Sequence, residues 1–202
     1  MSPRRSIREQ LSQLQRDCRA CTRCVEDGIL PAANPTFEGS WDARLMLVGQ
    51  APGRHEIETR RPFSGRAGKE LDRWMLRAGF ESAADFRRRT YIAAMVRCFP
   101  GRHPDGGDRR PPAGAVANCA SWLEAELELL RPQVVIAVGQ LAIERFLGPG
   151  RLEDRVGRSF GRQPVIVPLP HPSGQSRWLN QAANRERLAQ ALVLISDLCQ
   201  HG

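Results

Sequence analysis

Short apolar runs alternate with stretches of helical spacing along this chain. Residues 44–48, 91–96, 134–138 and 164–169 are the apolar runs. The continuous β-branched run at 134–138 is what a strand buried on both faces requires. Helix patterns lie between and around them. Residues 6–16 place Ile7, Leu11 and Leu14 on one face, and 65–79 place Leu71, Trp74, Met75 and Ala78 on another. Residues 115–130 stop before Pro132, and 141–147 and 181–198 complete the helical set. Residues 30–41 and 100–112 carry the Pro and Gly of loops. Strands alternating with helices predict an α/β fold, a three-layer α/β/α sandwich with a central four-stranded parallel sheet. No repeat or linker interrupts the pattern, so residues 1–202 are expected to form a single domain.

Charge adds a partner class. The 30 Lys and Arg outnumber the 22 Asp and Glu, giving a net charge of +8. Such a balance suits a polyanion, most simply nucleic acid. Lys69 is the lone lysine; the arginine bias that this implies also follows from a GC-rich genome. The start of the chain is basic and polar with no apolar stretch behind it, so no signal peptide is expected. No run reaches the roughly 18 apolar residues of a membrane span. The expected location is the cytoplasm, with use at a bacterial nucleoid. There, six cysteines point to metal binding or free thiols in preference to disulfides.

Cys18 and Cys21 are two residues apart, and Cys98 and Cys119 lie far along the chain. Two near and two distant thiolates suit an iron–sulfur cluster. Zinc is chemically compatible but more often uses two tight pairs. Cys21 and Cys24 have the same spacing as Cys18 and Cys21, so spacing alone leaves the near pair open. Free thiols account for the same residues without any metal. Cys199 reads as an ordinary helix residue.

Two further motifs follow apolar runs: Gly49-Gln50-Ala51-Pro52-Gly53 and Pro170-His171-Pro172-Ser173-Gly174. Both fall where open α/β sheets place their ligand crevice, at the carboxyl ends of strands. Residues 49–68, GQAPGRHEIETRRPFSGRAG, resemble without a gap the first motif of the thermophile-type (family 4) uracil-DNA glycosylases. Residues 91–99, YIAAMVRCF, are similar to the broad-specificity family 5 pattern. With His171-Pro172-Ser173, the chain thus resembles the iron–sulfur branches of the uracil-DNA glycosylase superfamily from about residue 18 to residue 180.

The resemblance implies a monofunctional DNA repair enzyme that flips uracil, or another deaminated or damaged base, and hydrolyses its N-glycosidic bond. DNA, single- or double-stranded, is then the partner, free uracil the product, and a monomer the working form. Gly49, Ala51, Pro52 and Gly53 would form the turn against the substrate. Phe63 would stack on the extruded base. Gly65 and Gly68 would offer N–H groups to an anion of the DNA. His171 would donate to the departing base's carbonyl oxygen, and Ser173 would hold a phosphate. Gln175, Arg177 and Trp178 are candidates for the side chain that fills the vacated space. A 4Fe-4S cluster would sit on Cys18, Cys21, Cys98 and Cys119, because the resembling families place their pair just after the first helix.

Two positions depart from family 4. Gln50 occupies the catalytic position of a water-activating glutamate, and an amide is no general base at neutral pH. Glu56 and Glu58 are the nearest carboxylates in sequence. The alternative is cleavage driven by electrostatic stabilisation of the departing anion, with no carboxylate acting on water; this reading is favoured. Ala94 stands where family 4 has the asparagine that reads the uracil edge, so discrimination between bases should relax. The stretches Arg87-Arg88-Arg89 and Arg109-Arg110 are compatible with phosphate contacts or with a solvated charged face. Two rivals accompany the enzyme reading. One is a glycosylase-fold protein that binds or traps uracil or abasic DNA without efficient turnover. The other is an iron–sulfur redox DNA binder.

Overall fold

The apolar runs form one sheet. In the computed structural model, which describes residues 6–104, 106–173 and 177–200, four parallel strands lie in the order β2–β1–β3–β4. They are β1 (Leu45–Gly49), β2 (Thr90–Ala94), β3 (Val134–Val138) and β4 (Val165–Leu169). The helices are α1 (Ile7–Arg19), α2 (Arg23–Glu26), α3 (Arg54–Thr59), α4 (Arg66–Arg77), α5 (Ala83–Arg89), α6 (Ala113–Leu130), α7 (Gln140–Leu147) and α8 (Ala182–Gln200).

Side chains alternate across each strand, so each face of the sheet has its own core. Leu45, Leu47, Ile136 and Val138 face α4, α5 and α8, and pack against Leu71, Trp74, Phe86 and Leu192. Met46, Val48, Val135 and Ala137 face α1, α6 and α7, and pack against Leu11, Leu123 and Ile143. Each fully buried Leu or Ile contributes about 1.5–3 kcal/mol of transfer free energy, so the two faces together hold the three layers. The predicted sandwich and parallel sheet are thereby found. No described helix is long and apolar enough to cross a membrane.

The differences from the predicted elements have local causes. The run at 91–96 leaves the ladder after Ala94, because Met95 and Val96 donate instead to the carbonyls of Gly49 and Gln50, at 2.9 and 3.0 Å. α3 has no buried residue and hence no apolar stripe to read. α5 is capped by Ser82, whose Oγ accepts from Asp85 N at 3.0 Å. That Ser-x-x-Asp signal was present in the sequence.

The strand register aligns the carboxyl ends. Gly49 pairs with Ala94, and Val138 with Leu169. The chain leaves β1 toward β2 and leaves β3 toward β4, so the connections diverge between β1 and β3. That divergence opens a crevice above Gly49 and Gly139.

Candidate active site

The crevice is lined by Gly49, Ala94, Phe63, Glu56, Asp108 and His171, among others. Phe63 is set there by its neighbours. Its φ of 50° is rare for a bulky residue and must be over-determined by the surroundings. Arg87 supplies one restraint, donating to Pro62 O at 3.0 Å and Phe63 O at 2.7 Å. Its own guanidinium is nearly buried and paired with Glu38 at 2.5 Å. Gly68 supplies another: a Cβ there would lie 1.7 Å from Phe63 O. Gly49 lets the ring itself approach, since a Cβ at 49 would lie 2.9 Å from Phe63 Cζ.

Glu56 ties the two halves of the first motif together. Its Oε2 accepts from Gly53 N at 3.1 Å and its Oε1 from Gly65 N at 2.9 Å. The Gly65 N–H expected to meet a DNA anion is therefore occupied by an internal carboxylate. Gly68 serves sterically, as the surface on which the Phe63 backbone rests. Ala51, Pro52 and Gly53 line the crevice. Gln50 is not among its lining residues; its carbonyl takes the Val96 N–H. Glu58 is exposed and paired with Arg54 at 3.3 Å.

His171 enters from the turn after β4. Gly139, at φ 84°, stands beneath it, and a Cβ at 139 would lie 3.5 Å from His171 Cδ2. Gly139 N also donates to Leu169 O at 2.9 Å, which fixes the start of the His171 turn. Burial pushes the His171 pKa below its ordinary 6.5, with Glu56 acting in the opposite direction. A neutral imidazole can still donate one N–H to an oxygen of a departing base. Ser173 is half-buried and lies outside the crevice lining. Gln175 and the Arg177 side chain lie outside the described residues. Trp178 packs against the core beneath α8, which argues against the wedge role considered for it.

Four crevice-building residues escaped the sequence reading. Thr36 and Asp108 line the crevice from distant loops, Arg87 braces Phe63, and Gly139 supports His171. A signal for Gly139 existed: Val48-Gly49-Gln50 and Val138-Gly139-Gln140 are the same tripeptide at the ends of paired strands. Four arginines of the basic stretches have partners within the protein. Arg87 braces the turn, Arg88 and Arg89 pair with Asp85, and Arg110 pairs with Glu144.

The cysteines form a second pocket beside α2 and α6. Cys18, Cys21, Cys24, Cys98 and Cys119 all line it, with Arg97 and Trp122. Among the described residues, no group of three or more His, Cys, Asp or Glu side chains is arranged to hold a single metal ion. A cluster spreads its four thiolates over several irons, so this does not bear on it. The donors around the pocket fit an acceptor-rich group. Arg97 Nε, Arg97 Nη1 and Trp122 Nε1 are buried without partners, and orphaned buried donors are costly. Asn34 N already donates to Cys98 Sγ at 3.4 Å, and Asn118 Nδ2 to Cys24 Sγ at 3.8 Å. Burial pushes the Cys98 thiol up to about 11 and the Cys18 thiol up to about 12. Such thiols lose their protons on binding metal.

The two candidates for the near pair differ in their surroundings. Cys24 shares an apolar cluster with Cys98 and Cys119, whereas Cys18 belongs to the sheet-facing core with Leu11 and Leu123. Both still line the one pocket with Cys21, Cys98 and Cys119.

A family model described as the uracil DNA glycosylase superfamily matches residues 36–193. A type-4 uracil-DNA glycosylase of Thermotoga maritima is 31% identical over 178 residues, covering 86% of this chain and 85% of the relative. One from Archaeoglobus fulgidus is 25% identical over 95% of this chain and 94% of its own length. A type-5 uracil-DNA glycosylase of Pyrobaculum aerophilum is 36% identical over 114 residues, 52% of this chain and 48% of the relative.

Proposed function

Because the chain belongs to the uracil-DNA glycosylase superfamily, in the branch of the type-4 and type-5 enzymes, we infer that it removes uracil from DNA by hydrolysing the N-glycosidic bond. The observation that carries this reading is the meeting of Phe63 and His171, 108 positions apart in the chain, across one crevice at the carboxyl ends of the strands. A nucleotide rotated out of DNA enters between them. Phe63, held at a fixed angle by Arg87 and Gly68, stacks on the base. The neutral His171 donates to the base oxygen that gains charge as the bond breaks, which lowers the barrier where charge develops. Ala94 offers no hydrogen-bonding side chain to read the base edge, so bases related to uracil are also admitted. The abasic strand and free uracil are released. Lys69, the lone lysine, lies in the first turn of α4 and is not among the crevice residues, consistent with a monofunctional enzyme. The working form is a monomer in the cytoplasm, acting at the nucleoid.

The residues of the second pocket fit a 4Fe-4S cluster held by Cys21, Cys24, Cys98 and Cys119, with Cys24 in place of Cys18. A cluster there would supply a rigid crosslink between α2, the segment after β2 and α6. The same segment carries Ala94, and Arg97 O accepts from Thr36 N at 2.9 Å, so the link reaches the crevice wall.

The test is excision from oligonucleotides bearing one uracil, single- and double-stranded, followed by alkaline cleavage. Cleavage that His171→Ala abolishes is expected. Tight binding by an intact, coloured protein without cleavage would instead support a binding-only protein.

A further inference from the structure

Gln50 leaves open which group acts on the attacking water. Two carboxylates line the crevice, Glu56 and Asp108. Both oxygens of Glu56 are engaged by the Gly53 and Gly65 N–H groups. Asp108 arrives from a different place, a short hairpin closed by Arg109 N donating to Gly101 O at 2.9 Å and by an antiparallel bridge between Arg102 and Asp108. Gly53 makes the approach feasible. A Cβ there would lie 2.7 Å from Asp108 Oδ2 and 2.7 Å from Glu56 Oε2, so any other residue would push against both carboxylates. Among the described residues, no side-chain hydrogen bond or salt bridge ties down the Asp108 carboxylate.

Resting on the glycosylase reading above, we propose that Asp108 takes the proton from the water that attacks the sugar. The C1′–N1 bond breaks and its electron pair leaves with the base, whose oxygen receives a hydrogen bond from His171. The water oxygen bonds to C1′ and its proton passes to Asp108. Asp108 returns that proton to solvent while the uracil anion takes one up, so water adds across the broken bond. Desolvation, then the neighbouring Glu56 charge, raise the Asp108 pKa above its ordinary 3.8 against the opposing pull of Arg102, which makes the carboxylate a stronger base.

The experiment compares wild type, Asp108→Asn, Asp108→Glu and His171→Ala in single-turnover excision across pH. Affinity is measured on an oligonucleotide carrying a noncleavable 2′-fluoro uracil nucleotide. Asp108→Asn should lower the rate by about 10²- to 10⁴-fold, remove the acid limb of the pH profile, and leave affinity within about threefold. Asp108→Glu should recover part of the rate. Asp108→Asn should melt at or above the wild-type temperature, because the carboxylate it replaces is disfavoured in its charged form by the fold. Wild-type excision that depends on His171 but survives Asp108→Asn within about threefold would overturn the proposal and leave the glycosylase standing. So would a rate loss matched by an equal affinity loss with the acid limb intact. A wild type that binds but never excises would overturn both readings.

Discussion

Gly68→Ala tests whether the first motif works through backbone donors or through shape. The substitution keeps the N–H, so an anion-binding role would survive it. Shape would not. The added Cβ would stand 1.7 Å from Phe63 O and 2.3 Å from Phe63 C, and real Cβ contacts essentially never fall below 3.0 Å. The Phe63 carbonyl must therefore retreat by the difference, about 1.3 Å, or α4 must shift by as much. Phe63 has little freedom to absorb the change, since its φ is already 50° and Arg87 holds its carbonyl at 2.7 Å. A misplacement of about 1 Å in a positioned group costs about 100-fold in rate, or about 2.7 kcal/mol of activation free energy. Overpacking adds a stability loss of about 1–3 kcal/mol. The assay is single-turnover excision of a single-stranded uracil oligonucleotide, with a circular dichroism melt to establish that the variant is folded. A folded Gly68→Ala protein that excises within about threefold of the wild-type rate would refute the steric account.

Three further outcomes follow from the same structure. Glu126→Ala should destabilise the protein by about 3–5 kcal/mol, because it leaves the Arg97 charge buried and unpaired; urea denaturation reads this, and Glu126→Leu combined with Arg97→Met should lose less than Glu126→Leu alone. Cys24→Ser should abolish iron binding and the visible absorption of the purified protein while Cys18→Ser retains both, as iron analysis and spectroscopy would show; the reverse pattern would return the site to Cys18. For His171, burial holds the folded pKa below 6.5, so the unfolded chain takes up its proton first as pH falls. Stability is then fully present above 6.5 and is lost as pH falls through the depressed value, and His171→Gln should make the stability profile shallower in that window.

The alternation of strands and helices was legible because it rests on periodicity along the chain. A run such as Val134–Val138 is buried on both faces whichever neighbours it finds. The two motifs were legible for a related reason: Gly49 and His171 sit at strand ends, and a strand end is a local event. The sequence also named Phe63, but not what orients it. That depends on Arg87, 24 residues away, whose place in a run of three arginines suggested a solvated face. Glu56 was visible as a carboxylate near Gln50, while its engagement by Gly53 and Gly65 appears only when α3 folds back over the turn. Asp108 carried no signal at all, lying in a Gly- and Pro-rich loop that the chain's path brings to Gly53. Spacing allowed either near cysteine pair; packing gives the two candidates different surroundings, Cys18 in the sheet-facing core and Cys24 in the apolar cluster with Cys98 and Cys119, although both line the same pocket. Periodicity and strand-end motifs are properties of neighbouring residues and are fixed by the sequence itself. Which carboxylate is free, which arginine is a brace and which thiols converge are decided by contacts between distant segments, and only the packed sandwich brings those segments together.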